Sequence, residues 1–298
     1  LLDSTDKLAG RSINPHLSAF DLRVTKMNFV EKLTTTMRKN NSLVCVGLDP
    51  DQEKTPPEIS VAEFNQAIIE ATADLVCAYK INLAFYEALG DDGMSILKQT
   101  KNFIPDDIPV IGDAKRGDIG NTAKAYARAI FDYFGFDATT VNPYLGYDSL
   151  EPFLQYRDRG IFILCRTSNA GAVDFQSLNV ETGDNKNIPL FQVVARKAGE
   201  WNRHGNIGLV VGATYPDELK IIREQHPDMP LLIPGIGAQG GDLELTVRYG
   251  VDRRGEKAII NSSRQILYAS QGKDFAPAAR QAALNLREQI NRIRETSS

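Results

Sequence analysis

Ile108-Pro109-Val110-Ile111-Gly112-Asp113-Ala114-Lys115-Arg116-Gly117-Asp118 passes from an apolar run directly into a charged hexad. A short Val/Ile run without polar alternation is what a parallel strand covered on both faces requires. The charges then fall where a buried strand emerges into a loop. On an extended segment Asp113 and Lys115, two residues apart, project to the same face. A carboxylate and an ammonium about 4 Å apart attract by roughly 4 kcal/mol at an effective dielectric of 20. With Asp118 close behind, the hexad reads either as a solvated loop holding an ion pair or as part of an active site.

Seven more apolar runs flank it: Leu43–Leu48, Leu75–Ile81, Ala138–Val141, Ile161–Cys165, Ile207–Val211, Leu231–Pro234 and Lys257–Ile260. Amphipathic stretches separate them. Ser60 and Glu63 have capping-box spacing, and Phe64, Ile68, Ala71 and Leu75 follow at helical intervals. Asn121 to Phe134 aligns Ala123, Ala127, Ile130 and Phe134 and stops at Gly135. Further helices are predicted over Asn28 to Arg38, over Tyr215 to Gln225, and from Ala276 through Ile293. Eight strand-then-helix units predict an α/β fold, a single-domain (β/α)8 TIM barrel over residues 28–298. The competing fold, a doubly wound sheet, calls for G-x-G-x-x-G after the first strand, where this chain has Gly47-Leu48-Asp49-Pro50. Ala170 to Pro189 is long and polar, and is expected to form an extended loop of the lid or binding type. Residues 1–27, mixed polar without an apolar signal core, are set apart as an N-terminal extension.

Composition narrows the function classes. The chain has 298 residues, is 42% hydrophobic and 24% charged, and can bury a sizeable core. A net charge of −4 argues against nucleic acid or an anionic membrane surface as partner, and no apolar run reaches membrane-span length. Cys45, Cys77 and Cys165 lie in or beside apolar runs without metal-ligand spacing, as expected of reduced structural thiols in a cytoplasmic protein. His16, His204 and His226 fall away from predicted strand ends, which disfavours a His-based triad or a zinc site.

In a barrel the C-terminal strand ends open onto one face. There the sequence places Asp49, Lys80, the Asp113–Lys115–Asp118 set, Arg166-Thr167-Ser168-Asn169, the segment Pro234-Gly235-Ile236-Gly237-Ala238-Gln239-Gly240-Gly241, and Asn261-Ser262-Ser263-Arg264. Each has a plainer reading. Lys80 could snorkel outward, Asp49-Pro50 and Ser168-Asn169 could be turns, and the glycines a tight connection. Placement favours more for the glycine segment, because loops after the seventh and eighth strands are the usual phosphate site of barrels. Arg264 supplies a bidentate grip and Gln239 a neutral donor. Two lysines among carboxylates, without histidine, suit proton transfer or carbanion chemistry. A Schiff-base lysine is the other option, disfavoured by the flanking aspartates.

These residues resemble the orotidine 5′-phosphate decarboxylase family. Asp113-Ala114-Lys115-Arg116-Gly117-Asp118-Ile119 matches its Asp-x-Lys-x-x-Asp-Ile signature, Lys80 in Tyr79-Lys80-Ile81-Asn82 its second-strand lysine, and Pro234 to Gly241 with Ser263-Arg264 its phosphate grip. The wording Asp-Ala-Lys-Arg-Gly-Asp and the Arg-Thr-Ser-Asn element point to the longer subgroup. The likeness spans Leu43 to about Ala269. It implies decarboxylation of orotidine 5′-phosphate to uridine 5′-phosphate (UMP), with no cofactor and no metal. It also implies a homodimer in which Asp118 and Thr122 reach the neighbouring subunit's site. Lys115 would protonate C6, Asp113 would lie against the substrate carboxylate, and Lys80 and Asp118 would complete the charge array. Asp49 would bind a ribose hydroxyl, Ser168 the pyrimidine, and Pro234, Gly235, Gln239 and Arg264 the phosphate. The chain departs from the family in reading Asn-Ser-Ser before Arg264, where many members have a glycine. Two rivals remain: a magnesium-dependent sugar-phosphate decarboxylase or aldolase sharing the hexad, and a barrel that binds nucleotide without turnover.

Overall fold

The computed structural model describes residues 27–183, 186–237 and 240–296. The proposed extension therefore lies outside the described residues, apart from Met27. Among the described residues ten strands occur in chain order: β1 Val44–Gly47, β2 Ala78–Asn82, β3 Val110–Arg116, β4 Ala138–Val141, β5 Gly160–Arg166, β6 Asn179–Glu181, β7 Asn187–Pro189, β8 Ile207–Val211, β9 Leu231–Pro234 and β10 Ala258–Ser262. Eight of them close a barrel in the order β1-β2-β3-β4-β5-β8-β9-β10, with β10 returning to β1. Every pair in it is parallel. A helix lies between each pair of consecutive barrel strands. This is the expected (β/α)8 barrel.

The local signals act as read. Asn28 and Ser60 each close a capping box, with Glu31 and Glu63 respectively. Gly135 takes φ +70° just beyond the Asn121–Phe134 stripe, whose last turn, Ala129–Tyr133, widens to a π-helix. Two expectations need correction. The polar stretch 170–189 is not one extended loop: it forms a 3-10 helix, Ala170–Asp174, and an antiparallel ribbon of β6 and β7 registering Val180 with Ile188. Three-residue strands are too short for a periodicity to show in sequence. The third and eighth barrel strands also run past their predicted ends, through Arg116 and Ser262, because polar active-site positions look like loop in sequence.

Side-chain alternation fills the barrel. Phe162 of β5 occupies the interior beside Gly208, where a Cβ would come within 2.5 Å of its ring. Phe29, opening the helix Phe29–Lys39, meets Phe162 edge-on at 5.6 Å and joins that helix to the core. No helix among the described residues is long and apolar enough to cross a membrane.

Candidate active site

At the C-terminal end of the strands a cavity of about 620 Å³ opens. Asp49, Lys80, Asp113, Lys115, Ser168, Pro234, Gly235 and Arg264 all line it. Eight residues distant in sequence thus converge because each stands at or just beyond the end of a strand in one closed barrel.

Asp113 is the hub. Its Oδ1 accepts from Lys115 Nζ at 2.7 Å and from Thr140 Oγ1 at 2.8 Å, while Lys80 Nζ stands 3.2 Å from Oδ2. Lys80 also lies 3.4 Å from Asp49 Oδ1, so carboxylates and ammoniums alternate from Asp49 to Lys115. Lys80 is only 5% exposed, so it does not snorkel outward. Lys115 stands at the open end, its side chain 47% exposed. Burial alone would raise the Asp113 carboxyl, but the two lysines outweigh it and hold the pKa at about 2. For Lys80 burial acts to lower the pKa, yet the Asp49 and Asp113 charges drive it upward. Both groups are therefore ionised throughout the neutral range.

The backbone holds Lys115 in a way that two-residue spacing alone does not foretell. Its φ is +47°, in the left-handed region, and the β3–β4 register shifts between Gly112 and Arg116. Lys115 N–H donates to Thr140 Oγ1 at 2.9 Å, the same hydroxyl that donates to Asp113. Thr140 thus ties the backbone of one catalytic candidate to the side chain of the other. Nothing in the run Ala138–Val141 marks this role, although strand alternation puts Thr140 inside the barrel.

Ser263 accounts for the departure before Arg264. Its hydroxyl occupies the space beside Gly47, where a Cβ would stand 1.9 Å from Ser263 Oγ, and it donates to Asp49 Oδ2 at 2.7 Å. Ser168 is held against the residue that follows strand β8, Gly212, where a Cβ would come 2.7 Å from the Ser168 Cα. The loop carrying it is pinned by Gln176, which accepts from Thr167 N–H at 2.8 Å, and by buried Arg166, paired with Glu218 at 2.5 Å and stacked on Tyr215. Arg264 is exposed into the cavity, and among the described residues no carboxylate pairs with it. The glycine segment folds back on itself, Gly241 N–H donating to Gly235 O at 3.1 Å, and Asp242 caps the following helix Leu243–Gly250. Gln239 lies outside the described residues. Asp118 and Thr122 do not line the cavity of their own chain. Asp118 is half-buried and accepts from Ile119 N–H, and Thr122 is exposed on the helix Gly120–Arg128.

A sequence profile described as "Orotidine 5'-phosphate decarboxylase / HUMPS family" matches residues 42–279. The chain belongs to this family. Among its decarboxylase relatives, the orotidine 5′-phosphate decarboxylase of Dehalococcoides mccartyi (strain CBDB1) is 58% identical over 269 residues, spanning 90% of this chain and 99% of the relative. The solved Leishmania donovani OMP decarboxylase superposes with a TM-score of 0.79 at 41% identity, covering 90% of this chain and 99% of that one. Leishmania donovani UMP synthase gives 0.81 at 42% identity; there the match covers 90% of this chain but 57% of the longer chain. Within the decarboxylase family signature, Asp113 and Lys115 are the pair the fold brings into contact, while the second aspartate, Asp118, stands apart from them.

Proposed function

We propose that this chain decarboxylates orotidine 5′-phosphate to UMP and carbon dioxide, without a metal, at the Asp49–Lys80–Asp113–Lys115 array. The observation that carries the reading is Asp113, fixed between Lys115 at 2.7 Å and Lys80 at 3.2 Å. Arg264 and the Pro234–Gly235 backbone hold the phosphate, with Gln239 as a further donor. Asp49 and Lys80 take the ribose hydroxyls, and Ser168 the pyrimidine. That orientation points C6 and its carboxylate toward Asp113 and Lys115. The C6–carboxylate bond breaks heterolytically, carbon dioxide leaves, and the electron pair stays on C6. The Lys115 ammonium, positioned before the reaction begins, stabilises that charge and then gives C6 its proton; solvent re-protonates the amine. Asp113 next to the substrate carboxylate favours the step in which that negative charge departs. Phosphate binding far from C6 supplies energy that serves the transition state. Lys80 stands between Asp49 and Asp113 and supplies the positive charge that a magnesium-dependent rival would need from a cation.

The homodimer belongs to the same proposal. Asp118 and Thr122 do not line their own cavity, and Ile119, Tyr144 and Leu145 are 56%, 82% and 48% exposed on the adjoining loops after β3 and β4. Those loops touch, since a Cβ on Gly117 would lie 3.2 Å from Asn142. An apolar patch of this kind suits a subunit contact that lends Asp118 and Thr122 to the neighbouring site. A cytoplasmic setting suits Cys45, Cys77 and Cys165, all buried and free.

The test is an assay with orotidine 5′-phosphate in the presence of a chelator, following the loss of its ultraviolet absorbance. Steady decay is expected. Folded protein that shows none sinks the assignment, and decay that stops with the chelator favours the metal-dependent rival.

A further inference from the structure

Strand β10 carries a polar side chain that this reaction does not use. Asn261 is 7% exposed, and its Oδ1 has no hydrogen-bond partner. Ser262 beside it, 2% exposed, leaves its Oγ unpartnered as well. Both residues line the cavity. Asn261 is in register with Pro234 of β9 and Cys45 of β1. Leu232, also lining the cavity, is in register with Ile259, two residues before Asn261 and so on the same face of β10. Asn261 therefore points into the barrel. Its neighbours round that wall, Leu164, Val210 and Leu232, are apolar, and a leucine at 261 would continue them.

A buried amide oxygen left without a partner opposes folding, and native proteins hold few of them. Position indicates what meets this one. Asn261 lies between Pro234, where the phosphate loop begins, and the β1–β2 side that carries Asp49 and Lys80. A nucleotide with its phosphate at Gly235 and Arg264 and its reacting carbon at Lys115 must cross this floor with its sugar and base. We propose that Asn261 is a further substrate-contacting residue: its carboxamide, held by no protein partner among the described residues, turns in the cavity so that its oxygen accepts a hydrogen bond from an N–H or O–H of the nucleoside part. This rests on the nucleotide reading above.

The experiment measures UMP affinity by calorimetry and ligand-free Tm for the wild type and Asn261→Leu. The expected result is an affinity at least about tenfold weaker with Tm unchanged or raised, because no protein hydrogen bond is lost. A side chain serving only the fold would give the reverse, a lowered Tm with affinity kept. That outcome overturns the proposal, as does an unchanged affinity, which would mean that water alone meets the amide. Asn261→Val, smaller than leucine, is read the same way if leucine overpacks the floor. A wild type that fails to bind UMP sinks the nucleotide reading itself, whereas normal wild-type binding with an indifferent variant sinks only the role of Asn261.

Discussion

At Asp113 two lysines overcome the effect of burial and bring the carboxyl from 3.8 to about 2. A group whose pKa is depressed on folding contributes stability that is fully present above its unfolded value and is lost as pH falls through its folded one. The window here runs from about pH 4 down to pH 2 and is worth about 2 kcal/mol. The Asp113→Asn variant should therefore lose about 2 kcal/mol less stability than the wild type across that window in acid denaturation. Equal losses would mean that the lysines do not hold Asp113 ionised. Lys115 makes a separate prediction, since it is placed to touch the reacting carbon while the phosphate grip lies elsewhere. Lys115→Ala should lower kcat by roughly 10³-fold or more and leave UMP binding within a few-fold of the wild type. Turnover near normal would refute its role as proton donor.

The seam between β1 and β10 shows how one element shapes another. Gly47 lacks a Cβ in just the space that Ser263 Oγ fills, and that hydroxyl steadies Asp49. Gly47→Ala should displace Ser263, weaken the Asp49 position and raise KM for orotidine 5′-phosphate about tenfold or more. Adding Ser263→Gly, which empties the space a Cβ at 47 would need, should recover part of the loss. No recovery in the double variant would show that the two positions are uncoupled. This seam also marks where sequence stops informing. The eight strands are legible because parallel strands buried on both faces leave unbroken Val/Ile runs, and Lys80, Asp113 and Lys115 are legible because charge at the end of such a run is conspicuous. Thr140 and Ser263 carry no such mark. Their roles depend on cross-strand neighbours, the first on Asp113 and Lys115 in the adjacent strand and the second on Asp49, 214 residues away. The left-handed backbone at Lys115 is hidden for a similar reason, being imposed by register against β4.

At the scale of the whole molecule, the proposed dimer predicts complementation. Mixing Lys115→Ala and Asp118→Ala chains, each inactive alone, places one intact site in every mixed dimer. Activity should return to about a quarter of the wild-type value, the statistical share for random pairing. If mixed dimers form and remain inactive, the sites are not shared. The barrel's closure carries a further consequence, in time rather than in space. The Asp49–Ser263 bond and the register of Val44 with Ile260 join the first barrel strand to the last. Contacts so distant in sequence must overcome a large loop-closure entropy, so they form late in folding. In refolding from denaturant, helix signal should return before UMP binding does, and simultaneous recovery would show that closure is not the late step. A nascent chain would then hold its lysines and aspartates long before it could recognise a nucleotide, and would acquire its chemistry only when its first and last barrel strands meet.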